Sequence, residues 1–196
     1  AVSVLSAFTP LYYLRDLASV QPSQNVLING ASSEIGVFAI QLAKYFGVEV
    51  TGVCSTANVE LVKSLGADAV IDYTKTDFTQ TGQTYDVIFD AVNKSSFSCC
   101  KQALTPTGIY MTTAASPAIM LQMLWTTIFG GKKAVLGLAG LNVDKKNFDT
   151  LKELFELGHL KAVIDRDYPL AEIVEAHRYV DTERKKGTVI ITVAEE

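Results

Sequence analysis

The chain has 196 residues, of which 48% are hydrophobic and 19% charged, and its formal net charge is −4 at pH 7. This length and composition predict a folded chain with one sizeable core rather than a disordered one. A net negative charge does not favour binding to nucleic acid. No apolar run reaches the length of about 20 residues that a membrane span needs. We therefore expect a cytoplasmic protein that binds neither nucleic acid nor membrane, with its three cysteines reduced and buried.

Helix and strand signals alternate along the chain. A helix is predicted over residues 11–19, and an apolar run that begins at residue 25 predicts the first strand. The later predicted strands cover residues 48–53, 69–72, 86–90, 108–112 and 134–138. The predicted helices between and after them cover residues 37–46, 58–65, 95–104, 117–129 and 144–157.

Strands that are unbroken apolar runs, separated by helices, indicate a parallel sheet covered on both faces. Six such strands fit an α/β fold with a Rossmann-type doubly wound sheet. The last stretch differs, because an extended segment at 161–168, a helix at 171–180 and a strand at 188–193 predict a strand–helix–strand appendage. We therefore predict a dinucleotide-binding domain over residues 1–158 and the appendage over residues 159–196.

The most informative stretch joins the first strand to the helix that follows it. Its spacing Ala31-x-Ser33-x-x-Gly36 matches a Gly-x-Gly-x-x-Gly fingerprint in which only the third glycine is kept. The first turn of a helix offers free backbone N–H groups and the positive end of the helix dipole, and small side chains let phosphates come close. The stretch is therefore a candidate site for a dinucleotide pyrophosphate, and it contains the candidate residues Ser32, Ser33, Glu34, Ile35 and Gly36.

The end of the second strand selects the cofactor in this fold, because an acid there hydrogen-bonds the ribose 2′-hydroxyl of NAD. Here the turn after the strand contains no acid, whereas Ser55, Thr56 and Asn58 can donate hydrogen bonds to phosphate oxygens. These residues favour NADP(H), with NAD(H) as the less favoured cofactor. They could instead cap the helix that begins near Val59, as such residues often do.

Other nucleotide-binding and catalytic motifs are missing from the sequence. The chain has no Gly-x-x-x-x-Gly-Lys-[Ser/Thr] loop, and no tyrosine is followed four positions later by lysine, as short-chain dehydrogenases require. A methyltransferase would need an acid after the second strand to bind the adenosine ribose. We expect His159 and His177 to have packing or surface roles.

Four segments, in order, resemble the medium-chain dehydrogenases/reductases and, within them, the quinone oxidoreductase-like branch. The turn and helix at 29–44 resemble that family's Gly-Ala-Ser-Gly-Gly-Val-Gly turn. The segments LGADAVIDY at 65–73 and YDVIFD at 85–90 are further matches, and residues 158–179 resemble the family's C-terminal signature. The resemblance covers nearly the whole chain and implies the cofactor-binding domain of an oxidoreductase.

The resemblance also assigns roles to residues that follow the strands. It implies that the adenosine ribose and its 2′-phosphate are surrounded by Gly52, Ser55, Thr56 and Tyr73. It implies that the nicotinamide side is formed by Ala91, Val92, Thr112, Thr113, Leu138 and Ala139, with Lys186 near the cofactor. These assignments agree with the rule that ligands bind outside the carboxyl ends of parallel strands.

Three departures from the family pattern matter. Ser33 and Glu34 replace the usual pair of glycines, and we expect Glu34 to point to solvent, away from a pyrophosphate. Ala57 stands where many relatives carry arginine. The resemblance also implies that the N-terminal lobe, which supplies most substrate contacts and any zinc ligands, is not in this sequence.

The resemblance implies a zinc-independent quinone or enone oxidoreductase, in which a nicotinamide delivers a hydride to a small carbonyl or quinone. For this chain alone we expect cofactor binding with little turnover. Two alternatives remain, a non-catalytic nucleotide-binding or regulatory module and the cofactor domain of a zinc-dependent alcohol dehydrogenase. The apolar edge strand near residues 133–138 also predicts a homodimer.

Overall fold

A computed structural model describes residues 2–137, 145–182 and 184–193. A parallel sheet of six strands forms its centre, in the order β3-β2-β1-β4-β5-β6. These strands are β1 Asn25–Asn29, β2 Glu49–Cys54, β3 Ala69–Asp72, β4 Tyr85–Asp90, β5 Leu104–Thr112 and β6 Lys133–Leu136. The order and the parallel pairing confirm the predicted Rossmann-type doubly wound sheet.

Helices cover both faces of this sheet. They are α1 Val2–Leu11, α2 Glu34–Tyr45, α3 Val59–Ser64, α4 Phe97–Cys100, α5 Pro117–Phe129 and α6 Lys145–Glu156. A further helix, α7 Ile173–Asp181, lies in the C-terminal segment. Successive side chains of a strand point to opposite faces, so Val26 and Ile28 of β1 join one core and Leu27 joins the other. The first core contains buried residues of α1, α2 and α6, and the second contains buried residues of α4 and α5. Burial on both faces explains why the central strands are continuous apolar runs.

The leading helix is longer than predicted. α1 begins at Val2, and Tyr12–Leu17 continue it as a π-helical turn, whereas the sequence predicted a helix over 11–19. Pro10 lies inside α1 and cannot donate a backbone hydrogen bond there. Burial of Ala7 and Phe8 in the core shared with α2 offsets this loss. Tertiary packing therefore decides where this helix starts.

The segment between β4 and β5 is less helical than predicted. α4 has four residues, and a 3-10 turn over Lys101–Ala103 leads directly into β5, which begins at Leu104 instead of residue 108. The pairing of β5 with β4 shifts register between Tyr85 and Val87. A Cβ at Gly108 would lie 2.9 Å from the Tyr85 carbonyl oxygen, so the irregular pairing depends on this glycine.

The C-terminal strand–helix–strand appendage is confirmed. β7 Ile164–Pro169 and β8 Thr188–Thr192 form a separate two-stranded parallel sheet, with α7 between them in the chain. Gln41 of α2 connects the appendage to the main sheet, because its side chain accepts from the Lys161 N–H at 2.8 Å and donates to the Lys161 carbonyl at 3.1 Å. The domain boundary at residue 158 stays a prediction.

The sequence led us to expect three buried cysteines, and this expectation is wrong for one of them. Cys54 and Cys100 are buried and Cys99 is exposed. Burial raises the pKa of both buried thiols to about 11, so they stay protonated at neutral pH. No helix in the described part of the chain is long and apolar enough to cross a membrane.

Candidate functional site

The carboxyl ends of the central strands lie in register at one edge of the sheet. Asn29 at the end of β1 pairs with Val53 of β2 and with Asp90 at the end of β4, and Asp90 pairs with Thr112 at the end of β5. Because β1 and β4 are neighbours in the sheet, the chain winds away from this point in both directions. The crevice outside such a switch point is the usual ligand site of a doubly wound sheet.

The turn between β1 and α2 is held by backbone and capping contacts. The N–H groups of Gly30 and Ala31 donate to the Val53 carbonyl at 3.1 and 2.9 Å. Ser33 caps α2, and its Oγ accepts from the Gly36 N–H at 3.1 Å. The two amides at the start of α2 have no acceptor within the helix because of their position, which suits them to bind an anion.

Glycines let the turn, the helix and the neighbouring loop approach closely. A Cβ at Gly36 would lie 2.1 Å from the Gly30 carbonyl oxygen, and a Cβ at Gly52 would lie 2.5 Å from Cγ1 of Val62. Gly30 has φ +82°, and a Cβ there would lie 2.4 Å from Cγ1 of Val92. Gly36 therefore has the packing role of the third glycine of the fingerprint.

Glu34 does not point freely to solvent, so that expectation is wrong. Its carboxylate accepts a hydrogen bond from the Ser6 hydroxyl and forms an ion pair with Lys185. The helix dipole favours a carboxylate in the first turn, and the flanking segments hold this one beside residues 30–33, the predicted pyrophosphate site, which we call the phosphate turn. Lys185 offsets the negative charge that Glu34 would present to a pyrophosphate. The sequence carried no signal for this pairing between distant segments.

The polar residues that follow β2 are partly engaged with each other and with β3. Thr56 donates to Asp72 at 2.5 Å, and the side-chain amide of Asn58 donates to the Ser32 hydroxyl at 2.8 Å, while Ser55 precedes both at the end of the strand. The hydrogen bond from Thr56 is the largest cause that lowers the pKa of Asp72 to about 2. A carboxylate therefore lies beside Thr56, and sequence reasoning missed it because Asp72 ends β3 and not β2.

The predicted adenosine side also has a buried acceptor without a hydrogen-bond partner in the described part of the chain. Oδ1 of Asn58 is buried and has no hydrogen-bond partner among the described residues. A buried polar atom without a partner is costly, so this oxygen is suited to a donor such as a ribose hydroxyl. Tyr73, which follows Asp72, donates its N–H to the Cys54 carbonyl at 3.0 Å, and its side chain is 62% exposed.

Asn93 joins the two loops that were predicted to flank the nicotinamide. Its Oδ1 accepts hydrogen bonds from the hydroxyls of Thr112 at 2.7 Å and Thr113 at 3.1 Å. Asn93 has φ +56°, a left-handed conformation that asparagine tolerates better than most residues. Ala91 and Val92 precede it in the same loop. The structure thus brings these four predicted residues together through a residue that the sequence reasoning missed.

A buried polar network lies under this loop. Asp90 is fully buried and accepts hydrogen bonds from the Asn29 side chain at 3.0 Å, the Ser95 N–H at 2.8 Å and the Tyr110 hydroxyl at 3.1 Å. Burial raises the pKa of Tyr110 above its usual value, so this hydroxyl keeps its proton and donates. The network fixes the start of the loop to the ends of β1 and β5.

The segment before β8 lies beside the phosphate turn. The Gly187 N–H donates to the Ser32 carbonyl at 3.1 Å, and the Lys186 N–H donates to Asp165 at 3.0 Å. Lys186 is therefore adjacent to the turn, and its contact with a cofactor stays a prediction. The predicted residues Leu138 and Ala139 lie outside the described residues.

No group of three or more His, Cys, Asp or Glu side chains is placed to hold a metal ion within residues 2–137, 145–182 and 184–193. An open cleft of about 600 Å³ lies at the opposite edge of the sheet, where Asn25, Glu49 and Tyr85 begin strands. Ligands of doubly wound sheets bind at the carboxyl ends of the strands, so strand topology places the candidate site away from this cleft.

Known proteins resemble this chain in both sequence and fold. A family model described as zinc-binding dehydrogenase matches residues 65–191. The chain is 34% identical over 159 residues to the chloroplastic quinone-oxidoreductase QR1 of Triphysaria versicolor. This match covers 79% of this chain and 48% of that protein. It is also 32% identical over 190 residues to the mitochondrial NAD(P)H oxidoreductase RTN4IP1 of Mus musculus, and this match covers 87% of this chain and 48% of that protein.

Among solved structures, the quinone oxidoreductase from Coxiella burnetii matches with a TM-score of 0.81 and 25% identity, over 98% of this chain and 58% of that one. The chain spans about half the length of the curated relatives it matches. These relatives are chloroplastic and mitochondrial by name, so a cytoplasmic location stays a prediction. Because the family model matches well over half of the chain, the chain belongs to the zinc-binding dehydrogenase family, in the quinone oxidoreductase-like branch of the medium-chain dehydrogenases/reductases.

Proposed function

We propose that this chain is the cofactor-binding domain of an NADP(H)-dependent, zinc-independent oxidoreductase that reduces a small quinone or enone. The observation that carries the proposal is the β1–β4 switch point, where the turn before α2 lies against the loop after β4 and a hydrogen bond joins that loop to the end of β5. The oxidoreductase names of both relatives support the reaction class. When bound, the nicotinamide supplies the hydride that the substrate accepts.

Each part of this strand edge would bind one part of the dinucleotide. The amides in the first turn of α2, which Gly36 keeps close to the turn, would bind the pyrophosphate. Val92, which lies against Gly30, would line the nicotinamide ribose. Thr112 and Thr113, which both donate hydrogen bonds to Asn93, would lie near the nicotinamide. Because the chain spans about half of its relatives, most substrate contacts would come from outside it.

Isothermal titration of the chain with NADPH and NADH tests the proposal. We expect saturable binding, tighter for NADPH, and little quinone reduction by this chain alone. The whole protein is expected to reduce quinones with NADPH. A folded chain that binds neither nucleotide would contradict the proposal, and a whole protein that binds cofactor without any reductase activity would favour a non-catalytic binding module.

The zinc-dependent alternative has its own support, because the matching family model is described as zinc-binding dehydrogenase. We propose zinc independence from the similarity to a quinone oxidoreductase. A catalytic zinc is usually held by three protein ligands and keeps an open position. Metal analysis of the whole protein, with activity measured before and after chelation, distinguishes the two. Stoichiometric zinc whose removal abolishes activity would favour an alcohol dehydrogenase.

The position of Asp72 favours NAD(H) over NADP(H), because its carboxylate lies beside Thr56 on the proposed adenosine side. This carboxylate would repel a 2′-phosphate and could accept a hydrogen bond from a 2′-hydroxyl. We expect Asp72→Asn to tighten NADPH binding by about tenfold at low salt and to change NADH binding by less than about twofold. Titration calorimetry of both nucleotides measures the ratio.

Asp77→Asn is the matched control for this substitution, since Asp77 also accepts from a threonine hydroxyl, that of Thr79 at 2.8 Å, but lies in another loop. The lowered pKa of Asp72, about 2, keeps the carboxylate charged from about pH 5 to about pH 8. Any change in the nucleotide preference over that range would therefore come from another group, such as the 2′-phosphate, whose second pKa is about 6. If Asp72→Asn leaves the ratio of the two affinities unchanged, the carboxylate does not contribute to cofactor selection.

We also propose that the chain forms a homodimer through α5 and β6. The α5 helix carries large apolar side chains that are each at least 56% exposed: Met120, Leu121, Leu124, Trp125, Ile128 and Phe129. β6, the last strand in the sheet order, lies next to this helix. A strand edge beside an exposed apolar helix face is a surface that a second copy can cover with twofold symmetry.

Sedimentation equilibrium tests this dimer. Ile128→Glu would place a charge on the apolar face, and we expect it to raise the dimer dissociation constant by at least about 100-fold. Leu157→Glu is the matched control, because Leu157 is 63% exposed but lies beyond α6. A wild-type chain that stays monomeric, or an Ile128→Glu variant that dimerises like the wild type, would rule this interface out.

A further inference from the structure

Tyr13 connects the leading helix to the ends of two strands of the sheet. Its side chain is fully buried, and its ring stacks on Phe89 with the ring centroids 4.9 Å apart. The Tyr13 hydroxyl oxygen lies 2.7 Å from the carbonyl oxygen of Thr112, 2.8 Å from the carbonyl oxygen of Gly137 and 2.9 Å from the Gly137 nitrogen. One hydroxyl therefore contacts the last residue of β5 and the residue directly after β6.

The Tyr13 hydroxyl uses both its donor and its acceptor capacity. It accepts from the Gly137 N–H, and its single proton is shared between the two carbonyl oxygens. Burial raises the pKa of Tyr13 to about 12, so the hydroxyl keeps its proton at neutral pH. The two strand ends cannot move apart without leaving a buried donor or acceptor unpaired.

Gly137 leaves room for the Tyr13 ring. A Cβ at Gly137 would lie 2.5 Å from Cζ and 2.6 Å from Cε2 of Tyr13, and 2.7 Å from Cδ1 of Leu17. The ring therefore packs directly on the backbone at the end of β6. A side chain from the helical segment before β1 thus contacts the strand end that precedes the predicted nicotinamide residues Leu138 and Ala139.

Thr112 is held from two sides. Its carbonyl oxygen accepts from Tyr13, and its side-chain hydroxyl donates to Asn93 in the loop after β4. Asn93 also accepts from Thr113, so the loops after β4 and β5 and the end of β6 form one connected unit. Tyr13 lies behind this unit and contacts its backbone.

We propose that Tyr13 is a positioning residue for the nicotinamide half of the cofactor, because its hydroxyl sets the spacing between the ends of β5 and β6. The proposal rests on the proposed cofactor binding. The adenosine half would lie at the ends of β1, β2 and β3, which the hydroxyl does not contact. Loss of the hydroxyl should therefore weaken binding of the nicotinamide half and leave binding of the adenosine half unchanged.

Tyr13→Phe tests the proposal, since it keeps the ring on Phe89 and removes only the hydroxyl. The wild type and the variant are titrated with whichever of NADPH and NADH the wild type binds more tightly, and with its adenosine half alone, 2′,5′-ADP or 5′-ADP. We expect the Kd of the dinucleotide to rise about tenfold and that of the adenosine half to change by less than about twofold. Tyr12→Phe, in the same helical turn, is the matched control and should change neither.

Nicotinamide fluorescence of the bound reduced dinucleotide gives a second readout, and we expect it to differ between Tyr13→Phe and the wild type. Equal weakening of the dinucleotide and its adenosine half would indicate a general structural role, and unchanged binding of both would indicate none; either result overturns the proposal. Gly137→Ala, which crowds the ring from the strand side, should show the same selective loss and decides the question if Tyr13→Phe does not fold. A wild type that binds no dinucleotide overturns the proposed function itself, and this proposal with it.

Discussion

Gly36→Ala is expected to weaken dinucleotide binding by at least about 100-fold. The new Cβ would lie 2.1 Å from the Gly30 carbonyl oxygen and 2.9 Å from the Ala31 carbonyl carbon, and both are backbone atoms that cannot rotate away. The first turn of α2 would therefore have to move away from the phosphate turn. This movement displaces the amides that we propose bind the pyrophosphate.

Isothermal titration with NADPH, together with thermal unfolding, measures this effect. Gly82→Ala is the matched control, because a Cβ at Gly82 meets no atom within 4 Å. The control should lose about 1 kcal/mol of stability, since Gly82 has φ +77°, and should bind NADPH like the wild type. If Gly36→Ala also binds like the wild type, the pyrophosphate does not bind at this turn.

Asp90→Ala is expected to lower the free energy of unfolding by about 3 to 5 kcal/mol. The substitution removes the acceptor of four buried or partly buried donors, from Asn29, Val92, Ser95 and Tyr110, and leaves a cavity at the end of β4. Because small domains are stable by only about 5 to 15 kcal/mol, a loss of this size is a large fraction of the total. Urea denaturation followed by circular dichroism measures it.

Asp86→Ala is the matched control at the other end of the same strand. Asp86 accepts from the Asn25 N–H at 2.9 Å and from the Thr105 hydroxyl at 3.2 Å, near the surface, where water can replace it. We expect this substitution to cost about 1 kcal/mol or less. Equal losses for the two variants would show that the buried network around Asp90 has no special contribution to stability.

The sheet could be predicted from the sequence because its signals are local. The apolar run of β1 stops at small residues, and a helical pattern follows at once, so the strand, the turn and α2 are apparent without any knowledge of distant contacts. Gly36 could be singled out because the fingerprint specifies its spacing. The start of α1 could not, because the sequence predicted a helix only from residue 11, whereas the structure shows a helix that begins at Val2, contains Pro10 and packs against α2.

The contacts within the candidate site could not be predicted, because they join residues that are far apart in the sequence. Asp72 was part of a recognised segment, but its contact with Thr56 depends on the pairing of β3 with β2. The partner of Glu34 is Lys185, which lies near the other end of the chain. Tyr13 precedes every strand, and no local pattern indicates that its hydroxyl reaches the ends of β5 and β6.

Two contacts between the phosphate turn and the segment before β8 couple the local unfolding of one to that of the other. Gly187 donates to the carbonyl of Ser32, and Lys185 pairs with Glu34, so opening of the C-terminal segment removes two contacts from the turn. By linkage, a ligand that binds only the intact turn also stabilises the C-terminal segment, even where it makes no contact with that segment. Substitutions near the end of the chain can therefore change affinity at a site that is built near its beginning.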